Sequence, residues 1–333
     1  MVDERVGAGE CRFLQRKARC RGLHQEAQGR DDQAREAIVT ALTRARRRLY
    51  WPFVAPATLL YVAFFIGPAL ASVWISLHKW RGAGDEMEFT GTANYLRLLD
   101  DDAFKSSFAN SLKILAICGV FIFALAFGLT IVLREMKHRR TLRALLFFPY
   151  IVAPVAIGVG LGLLLDPSGL VNAVLGNVGL DRPWLAPDHI FGTILIGIVW
   201  VTTGFYVTLL MAGQERIPGY FYEDSTLAGA NRLQQFWHVT LPLSWDIVTV
   251  AAVLWVINSL KIFEFIYAFT GTGDSPPTEA RTIPIYQFLM TTGGRNPAYQ
   301  LGYGCAMGVV MVALVTVLVV ALRRVMRREA VHF

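Results

Sequence analysis

Six long apolar runs constrain this chain more than any other feature of its sequence. Five of the six contain no Asp, Glu, Lys or Arg, apart from Lys113 at the edge of the second run. The exception is the run at residues 247–270, which carries Lys261 and Glu264 well inside it. A helix needs about 20 apolar residues to cross a bilayer, and soluble core helices seldom stay uncharged for so long. The sequence therefore predicts an all-α integral membrane protein with six transmembrane helices, at about residues 51–77, 112–133, 144–165, 190–213, 247–270 and 300–322.

Basic residues at the ends of these runs predict their orientation. The net charge is +7, but the charges do not gather on one surface, so nucleic acid is not an expected partner. Three basic clusters fall on one side of the membrane if the spans alternate: Arg44 to Arg48, Arg134 to Arg143, and Arg323 to Arg328. By the positive-inside rule that side is cytoplasmic. The sequence predicts a multi-pass protein in a lipid bilayer, with both termini in the cytoplasm.

The chain divides into a tail and a membrane domain. Residues 1–45 are polar and Arg-rich and predict a cytoplasmic tail, whereas residues 46–328 form the predicted six-span domain. No G-x-x-x-x-G-K-[ST] run is present, so the sequence has no phosphate-binding loop for ATP. The four cysteines have no metal or disulfide spacing, and no His, Cys or carboxylate cluster near a span end has catalytic spacing. A membrane enzyme is therefore disfavoured, and no cofactor is expected in this chain.

The longest inward loop, residues 215–246, combines helix signals with many aromatic residues. Pro218 and Gly229 fit the start and the left-handed end of one helix, predicted from Pro218 to Ala228. A capping box of Asn231 and Gln234 predicts a second helix, ending before Leu241. Docking of a partner, packing against the chain's own helix ends and contact with lipid are all compatible with the aromatic residues Tyr220, Phe221, Tyr222, Phe236 and Trp237.

This loop resembles the cytoplasmic signature of the permease subunits of bacterial ABC importers, which reads Glu-Ala-Ala, then Gly, then Leu-Pro. Asp224 and Ser225 stand where that family has its two alanines. Further matches to the carbohydrate-uptake branch are Phe148-Pro149-Tyr150 in the third run and Lys261, Glu264 and Thr270-Gly271 in the fifth. The resemblance covers about residues 50–328. The resemblance implies that the following loop residues contact the ATPase: Glu223, Asp224, Ser225, Gly229, Phe236, Leu241 and Pro242.

The resemblance implies the permease subunit of an importer that moves a sugar or oligosaccharide inward across the bacterial cytoplasmic membrane. Its implied partners are a dimer of ATPase subunits, a second related permease and an external solute-binding protein. ATP and Mg would be bound by the ATPase subunits, so this chain would be a conduit and not an enzyme. The loop 215–246 would be the helix-turn-helix that couples the two kinds of subunit.

Polar residues in the fifth run are candidates for the sugar pathway. Asn258, Lys261 and Glu264 follow at intervals of three, so they would share one strip of a continuous helix. In one interpretation Asn258 and Lys261 bind sugar hydroxyls; in the other, Lys261 and Glu264 form an ion pair between helices. Aromatic residues that could line the same pathway, or simply pack or face lipid, are Trp255, Trp200 and Tyr206.

An ion-coupled secondary transporter of a small solute is the alternative function. Such carriers need carboxylates within the membrane and often contain inverted repeats. Glu264 is the only carboxylate well inside a predicted span, and the two halves of the sequence show no evident repeat. The sequence therefore favours the importer subunit over this alternative.

Overall fold

A computed structural model describes residues 51–82, 84–134, 136–177, 179, 182–271, 276–293 and 298–327. The predicted tail, residues 1–45, lies outside these residues. The chain divides into two compact units, Met1–Leu70 and Ala71–Phe333. Within the described ranges the only strands are β1 (His78–Lys79) and β2 (Glu88–Phe89), which pair antiparallel. All other regular structure there is helical.

Thirteen α-helices and one 3-10 helix, Thr278–Ala280, are described in chain order, and three of the α-helices contain a π-helical turn. These turns are Val62–Ile66 in α1, Ile114–Cys118 in α3 and Phe236–Thr240 in α9. The helices are α1 (Trp51–Ser76), α2 (Ala93–Asp100), α3 (Asp102–Leu133), α4 (Arg139–Ile151), α5 (Pro154–Leu164), α6 (Leu170–Gly176), α7 (Pro187–Gln214), α8 (Tyr220–Leu227), α9 (Arg232–Leu243), α10 (Trp245–Leu260), α11 (Glu264–Phe269), α12 (Ile283–Thr291) and α13 (Leu301–Val325).

Four of these helices, α1, α3, α7 and α13, are each long and apolar enough to cross a membrane. Two further candidates are bent pairs: α4 and α5 meet at 89°, and α9 and α10 meet at 78°. The described residues thus hold four candidate spans, or six if each bent pair is one span. The all-α membrane fold is confirmed, whereas the number six stays a prediction that depends on this way of counting.

The second span begins earlier than predicted. α3 starts at Asp102 instead of residue 112, because the carboxylate of Asp101 caps it. One Asp101 oxygen accepts the backbone N–H groups of Ala103 and Phe104, at 2.9 and 3.2 Å. Such a cap satisfies donors that have no partner within the helix. The polar residues before the apolar run therefore continue the span as a helix.

The prediction of one helix over 144–165 is wrong. α4 ends at Ile151 and α5 begins at Pro154, with Val152 and Ala153 in extended backbone (ψ of 141° and 128°). A proline clashes with an α-helical conformation of the residue before it. Pro154 at the start of α5 therefore explains the break.

The prediction of one helix over 247–270 is also wrong. α10 ends at Leu260, the backbone of Phe263 leaves the helical region (φ −129°, ψ −60°), and α11 restarts at Glu264. Neither proline nor glycine lies in this break. We attribute it to packing, because α11 lies with its backbone directly against α5: a Cβ on Gly158 would come 2.6 Å from the carbonyl oxygen of Phe265. Small residues allow such close approach of membrane helices.

Two apolar clusters hold the second unit together. The larger joins buried residues of α3, α7 and α10, among them Ile122, Ile194 and Ala251. The smaller joins α2, α12 and α13 to the start of α3, through residues such as Leu98 and Met307. Two residues of the larger cluster, Ile198 and Phe265, also line the cavity described below. The smaller cluster lies at the N-terminal end of α3.

Candidate functional sites

The first candidate site is the helix pair, which we define as α8 and α9. α8 begins at Tyr220, two residues after the predicted start, and ends at Leu227. Gly229 has a φ of +78°, so the predicted left-handed turn is confirmed. Its N–H donates to the carbonyl of Thr226, and the N–H of Ala230 donates to that of Ser225, both at 3.0 Å. This pair of bonds is a Schellman turn, which satisfies the last carbonyls of α8.

α9 opens with the predicted capping box but does not end where predicted. Asn231 and Gln234 exchange backbone-to-side-chain hydrogen bonds of 2.8 and 2.9 Å. The helix then continues through Leu241 and Pro242 to Leu243. The π turn immediately before Leu241 changes the hydrogen-bond register. A proline directly after such a turn opens a new helical turn, where its missing N–H is tolerated.

The aromatic residues of the helix pair divide into a buried and an exposed set. Tyr222 and Phe236 are 8% and 6% exposed and pack on the end of α3. The guanidinium of Arg134 lies 3.3 Å from the ring centre of Tyr222, and Phe236 packs edge-on against Phe127 at 5.5 Å. The Tyr222 hydroxyl and the Thr240 hydroxyl are 3.2 Å apart. The exposed apolar side chains of the helix pair are Tyr220, Leu227, Leu233 and Trp237.

The structure brings most of the predicted coupling residues together at the Schellman turn. Glu223, Asp224 and Gly229 are exposed, and Ser225 is partly buried with its hydroxyl donating to the carbonyl of Tyr222 at 2.8 Å. Phe236 is buried on α9, against Phe127 of α3. The two remaining residues, Leu241 and Pro242, lie at the far end of α9, where Leu241 is partly buried and Pro242 exposed.

The second candidate site is the helix-break cavity, of about 470 Å³, where the two broken segments face each other. The break between α4 and α5 contributes one wall, the break between α10 and α11 another, and α7 a third. Non-helical backbone at membrane depth is tolerated where it lines a cavity rather than lipid. The lining residues are Tyr150, Val152, Pro154, Ile198, Val201, Thr202, Asn258, Lys261, Ile262, Phe263, Glu264 and Phe265.

Three of the predicted pathway residues line this cavity: Asn258, Lys261 and Glu264. They do so from both sides of the break, not along one helical strip as predicted. All three are exposed in the chain. Among the described ion pairs none joins Lys261 to Glu264, so the alternative of a self-satisfied pair is not formed.

The other three predicted pathway residues lie outside the lining. The Trp255 indole N–H donates to the carbonyl of Leu115 at 2.9 Å, and a Cβ on Gly119 would come 2.6 Å from that nitrogen. Trp255 is therefore a packing residue between α10 and α3. Tyr206 is 1% exposed and packs edge-on against Trp255. Trp200 is 54% exposed on α7.

Several cavity residues, notably Tyr150, Thr202 and Phe263, were not among the predicted pathway residues. Pro154 was the available signal, because it marks the break in the third run that opens the cavity. No comparable feature of the sequence predicted that Phe263 would pack against another ring. Its ring lies 5.1 Å from that of Phe288 on α12, so α12 packs directly on the α10–α11 break.

A hydrogen-bond network anchors α12 to the start of α3. The second carboxylate oxygen of Asp101 accepts the hydroxyl groups of Tyr286, at 2.6 Å, and Tyr303, at 2.5 Å. The Asn110 amide donates to the backbone carbonyls of Glu279 and Arg281 at 3.0 and 3.1 Å. Burial raises the pKa of Asp101, but its four hydrogen bonds together outweigh this effect and lower the pKa below its ordinary value.

No metal centre is formed by the described residues, which contain no group of three or more His, Cys, Asp or Glu placed to hold an ion.

Comparisons with known proteins agree with this architecture. The trehalose/maltose transport system permease protein MalF of Thermococcus litoralis is 31% identical over 287 residues, which cover 84% of this chain and 94% of that protein. The diacetylchitobiose uptake system permease protein NgcF of Streptomyces coelicolor is 28% identical, covering 83% of this chain and 81% of that protein.

A solved structure has the same fold. It is that of a bacterial ABC transporter involved in the import of the acidic polysaccharide alginate, with a TM-score of 0.73 and 20% identity, covering 87% of this chain and 99% of the solved chain. Residues 103–331 match a protein-family model described as "Binding-protein-dependent transport system inner membrane component". These residues are more than half of the chain, which therefore belongs to the family of binding-protein-dependent transport system inner membrane components.

Proposed function

We propose that this chain is the permease subunit of an ATP-binding-cassette importer that carries a sugar or oligosaccharide inward. Its family and the names of its relatives, which include trehalose/maltose and diacetylchitobiose systems, support this class of solute. The helix-break cavity is the structural observation that carries the proposal. It is a cavity with mainly apolar and aromatic walls, into which Asn258, Lys261 and Glu264 bring polar groups.

The cavity has the chemistry that sugar binding needs. The Asn258 amide and the Lys261 ammonium can donate hydrogen bonds to hydroxyl groups, and the Glu264 carboxylate can accept them. The rings of Tyr150 and Phe263 add apolar faces, against which a sugar ring can pack. Transporters commonly bind their substrates where membrane helices are interrupted, because backbone groups there are free to take part. We therefore assign the sugar-contacting role to these lining residues, and not to Trp255, Trp200 or Tyr206.

The helix pair would transmit the motion of a separate ATPase dimer, which binds ATP and Mg. Its exposed apolar side chains, with Glu223 and Asp224 beside them, form a surface suited to a partner groove. Its buried side chains, Tyr222 and Phe236, pack against the C-terminal part of α3 and Arg134 just beyond it. A displacement of the pair would thus move α3 as a rigid body.

The complete importer would also contain a second permease and an external solute-binding protein. The proposed orientation places the helix pair and both termini in the cytoplasm, as the basic clusters indicate.

Reconstitution tests this proposal. The chain would be purified with its ATPase and sister permease and placed in liposomes with the binding protein and candidate disaccharides. We expect sugar-stimulated ATP hydrolysis and uptake that persists when an uncoupler removes the proton gradient. Uptake that needs no ATP and stops with the uncoupler would contradict the proposal and favour the ion-coupled alternative.

A further inference from the structure

We propose that a cationic pocket at the membrane face opposite the helix pair binds the phosphate of an anionic phospholipid headgroup. The pocket has a volume of about 170 Å³ and lies between the β1 loop, α2 and the start of α13. Three cationic side chains, Lys79, Arg81 and Arg97, line it. Its other polar lining residues are Asn94, Gln300 and Tyr303.

The two ends of α3 define the position of the pocket. Arg134, just after the C-terminal end of α3, contacts Tyr222 of the helix pair. Asp101, at the N-terminal end, contacts Tyr303 of the pocket. The pocket also adjoins the start of α13, a candidate span, so it lies where spans leave the hydrocarbon layer and lipid headgroups begin.

The cations of the pocket are largely uncompensated. Within the described residues, the Arg81 guanidinium has no hydrogen-bond or ion-pair partner; Asp85 accepts only its backbone N–H, at 3.2 Å. Lys79 lies 4.0 Å from Glu88, in a pair whose side chains are 71% and 70% exposed, so solvent screens that pair strongly. No described carboxylate lines the pocket itself. The nearest carboxylates, Asp85 at the Arg81 backbone and Asp101 behind Tyr303, lie outside the lining, so an anion entering the pocket would meet three cationic side chains directly.

Arg97 is held in place for such an anion. Its Nη1 donates to the Gln300 side-chain oxygen at 2.7 Å, and its guanidinium lies 4.2 Å from the ring centre of Tyr303. These contacts use only part of its five N–H donors. A guanidinium with free donors in a fixed plane matches the oxygens of a phosphate.

The walls of the pocket are fixed by backbone contacts. The Asn94 amide donates to the carbonyls of Ser76 and His78, at 2.8 and 3.0 Å, and the N–H of Gly302 donates to that of Trp80 at 3.1 Å. A Cβ on Gly302 would come 2.0 Å from the His78 carbonyl oxygen, so only glycine permits this approach. The cationic side chains therefore extend from a preformed frame.

Apolar side chains around the pocket favour a lipid over a soluble anion or an acidic protein segment. On α2, Leu96 and Leu99 are 61% and 69% exposed and lie one turn apart, on either side of Arg97 in sequence. Basic residues beside exposed apolar ones are typical of elements that lie in the membrane interface. The other exposed apolar residues of this region are Trp74, Met87 and Phe89. An occupant with both a phosphate and acyl chains satisfies both features.

The test compares a charge-deficient pocket with a matched control. The double variant Lys79→Gln/Arg81→Gln removes two cations but leaves Arg97 in its network. The control, Lys105→Gln, removes one exposed cation on the same face, whose partner is Asp102 at 2.9 Å outside the pocket. The full chain, purified with its partners, would be titrated with phosphatidylglycerol or with phosphatidylcholine of the same acyl chains. Bound lipid would be counted by native mass spectrometry.

We expect wild type and Lys105→Gln to retain phosphatidylglycerol in preference to phosphatidylcholine. The double variant should bind phosphatidylglycerol on the order of tenfold more weakly, with unchanged binding of phosphatidylcholine. Equal retention of phosphatidylglycerol by the double variant would overturn the proposal. Competition by soluble glycerol phosphate as effective as that by the lipid would also overturn it, because the site would then recognise a free anion. Failure of sugar uptake has no bearing on this result, since lipid binding is measured without transport.

Discussion

The helix pair and the helix-break cavity are both places where a helix stops, but the stops have different causes. In the helix pair the cause is local: Gly229 and Asn231 end one helix and open the next within a few residues. At the cavity, the stretch Lys261–Phe263 contains no residue that breaks helices, and α11 is held by the glycine face of α5, far earlier in the chain. The first kind of helix end is set by the backbone preferences of its own residues, whereas the second depends on packing against a segment distant in sequence.

The largest effect should come from filling the contact between α5 and α11. Gly158→Leu places a side chain where a Cβ alone would lie 2.6 Å from the Phe265 carbonyl oxygen. We expect a loss of about 3 kcal/mol of stability and of all transport, because overpacking forces the backbones apart. The thermal midpoint and sugar uptake of the purified complex measure both effects.

Gly160→Leu is the matched control, because no atom lies within 4 Å of a Cβ built on Gly160. It should keep transport and lose less than about 1 kcal/mol of stability. If both variants behaved alike, the α5–α11 contact would not be what holds the break.

The next largest effect should come from Asp101→Ala, which removes one of the anchors between α12 and the start of α3. The variant loses the cap of α3 and leaves the nearly buried hydroxyl groups of Tyr286 and Tyr303 without their acceptor. We expect a loss of about 2–3 kcal/mol, read as a lower thermal midpoint. A midpoint equal to that of wild type would show that the network does not stabilise the fold.

The same network predicts a dependence on pH. Because the folded-state pKa of Asp101 is lowered from its ordinary 3.8, its contribution is fully present above that value and is lost as the pH falls through the folded-state pKa. The stability difference between wild type and Asp101→Asn should therefore shrink on acidification below about pH 4. A difference that stayed constant across this range would contradict the assignment.

A smaller loss of stability, with a large loss of coupling, is expected from Gly229→Val. No atom lies within 4 Å of a Cβ on Gly229, so the variant tests the left-handed backbone alone. The strain should be about 1–2 kcal/mol and should misplace α9. ATP hydrolysis by the assembled importer should then no longer drive uptake, measured by the ratio of sugar moved to ATP hydrolysed.

Gly219→Val provides the comparison, because Gly219 has helical backbone (φ −59°) and a Cβ there would meet only the Glu223 carboxylate, at 3.9 Å. This variant should retain the wild-type ratio. Uncoupling by both variants would indicate general damage to the loop and not a role for the turn.

The smallest effect on stability should come from Lys261→Gln. Lys261 is exposed and has no described ion-pair partner, so its loss should change stability by less than about 0.5 kcal/mol. Uptake should nevertheless fall about tenfold through a higher KM, because a charged hydrogen bond to the sugar is lost. Unchanged KM would remove Lys261 from the pathway; Lys105→Gln serves as the control for loss of charge.

The sequence predicted the features that depend on near neighbours. Apolar runs predicted the membrane helices, and Gly229 with the Asn231–Gln234 pair predicted the turn between α8 and α9. It could not predict the burial of Trp255, because the notch that receives its indole is made by Gly119 on another helix. The cavity could be predicted only in part. Pro154 marks the break between α4 and α5 locally, but the break between α10 and α11 depends on packing against α5. Asn258, Lys261 and Glu264 line one cavity, but from both sides of a helix break and not along one helical strip as predicted; their role in the sugar pathway stays a prediction.

The interruption at Lys261–Phe263 also has a mechanical consequence. α11 is locked to α5 by glycine contacts, while α10 continues, through the bend at Ser244, into the helix pair. We therefore expect a displacement of the helix pair to move α10, together with α3, on which its Trp255 packs, relative to α11. The walls of the helix-break cavity would then belong partly to moving and partly to stationary segments, so its width could change without any helix unwinding.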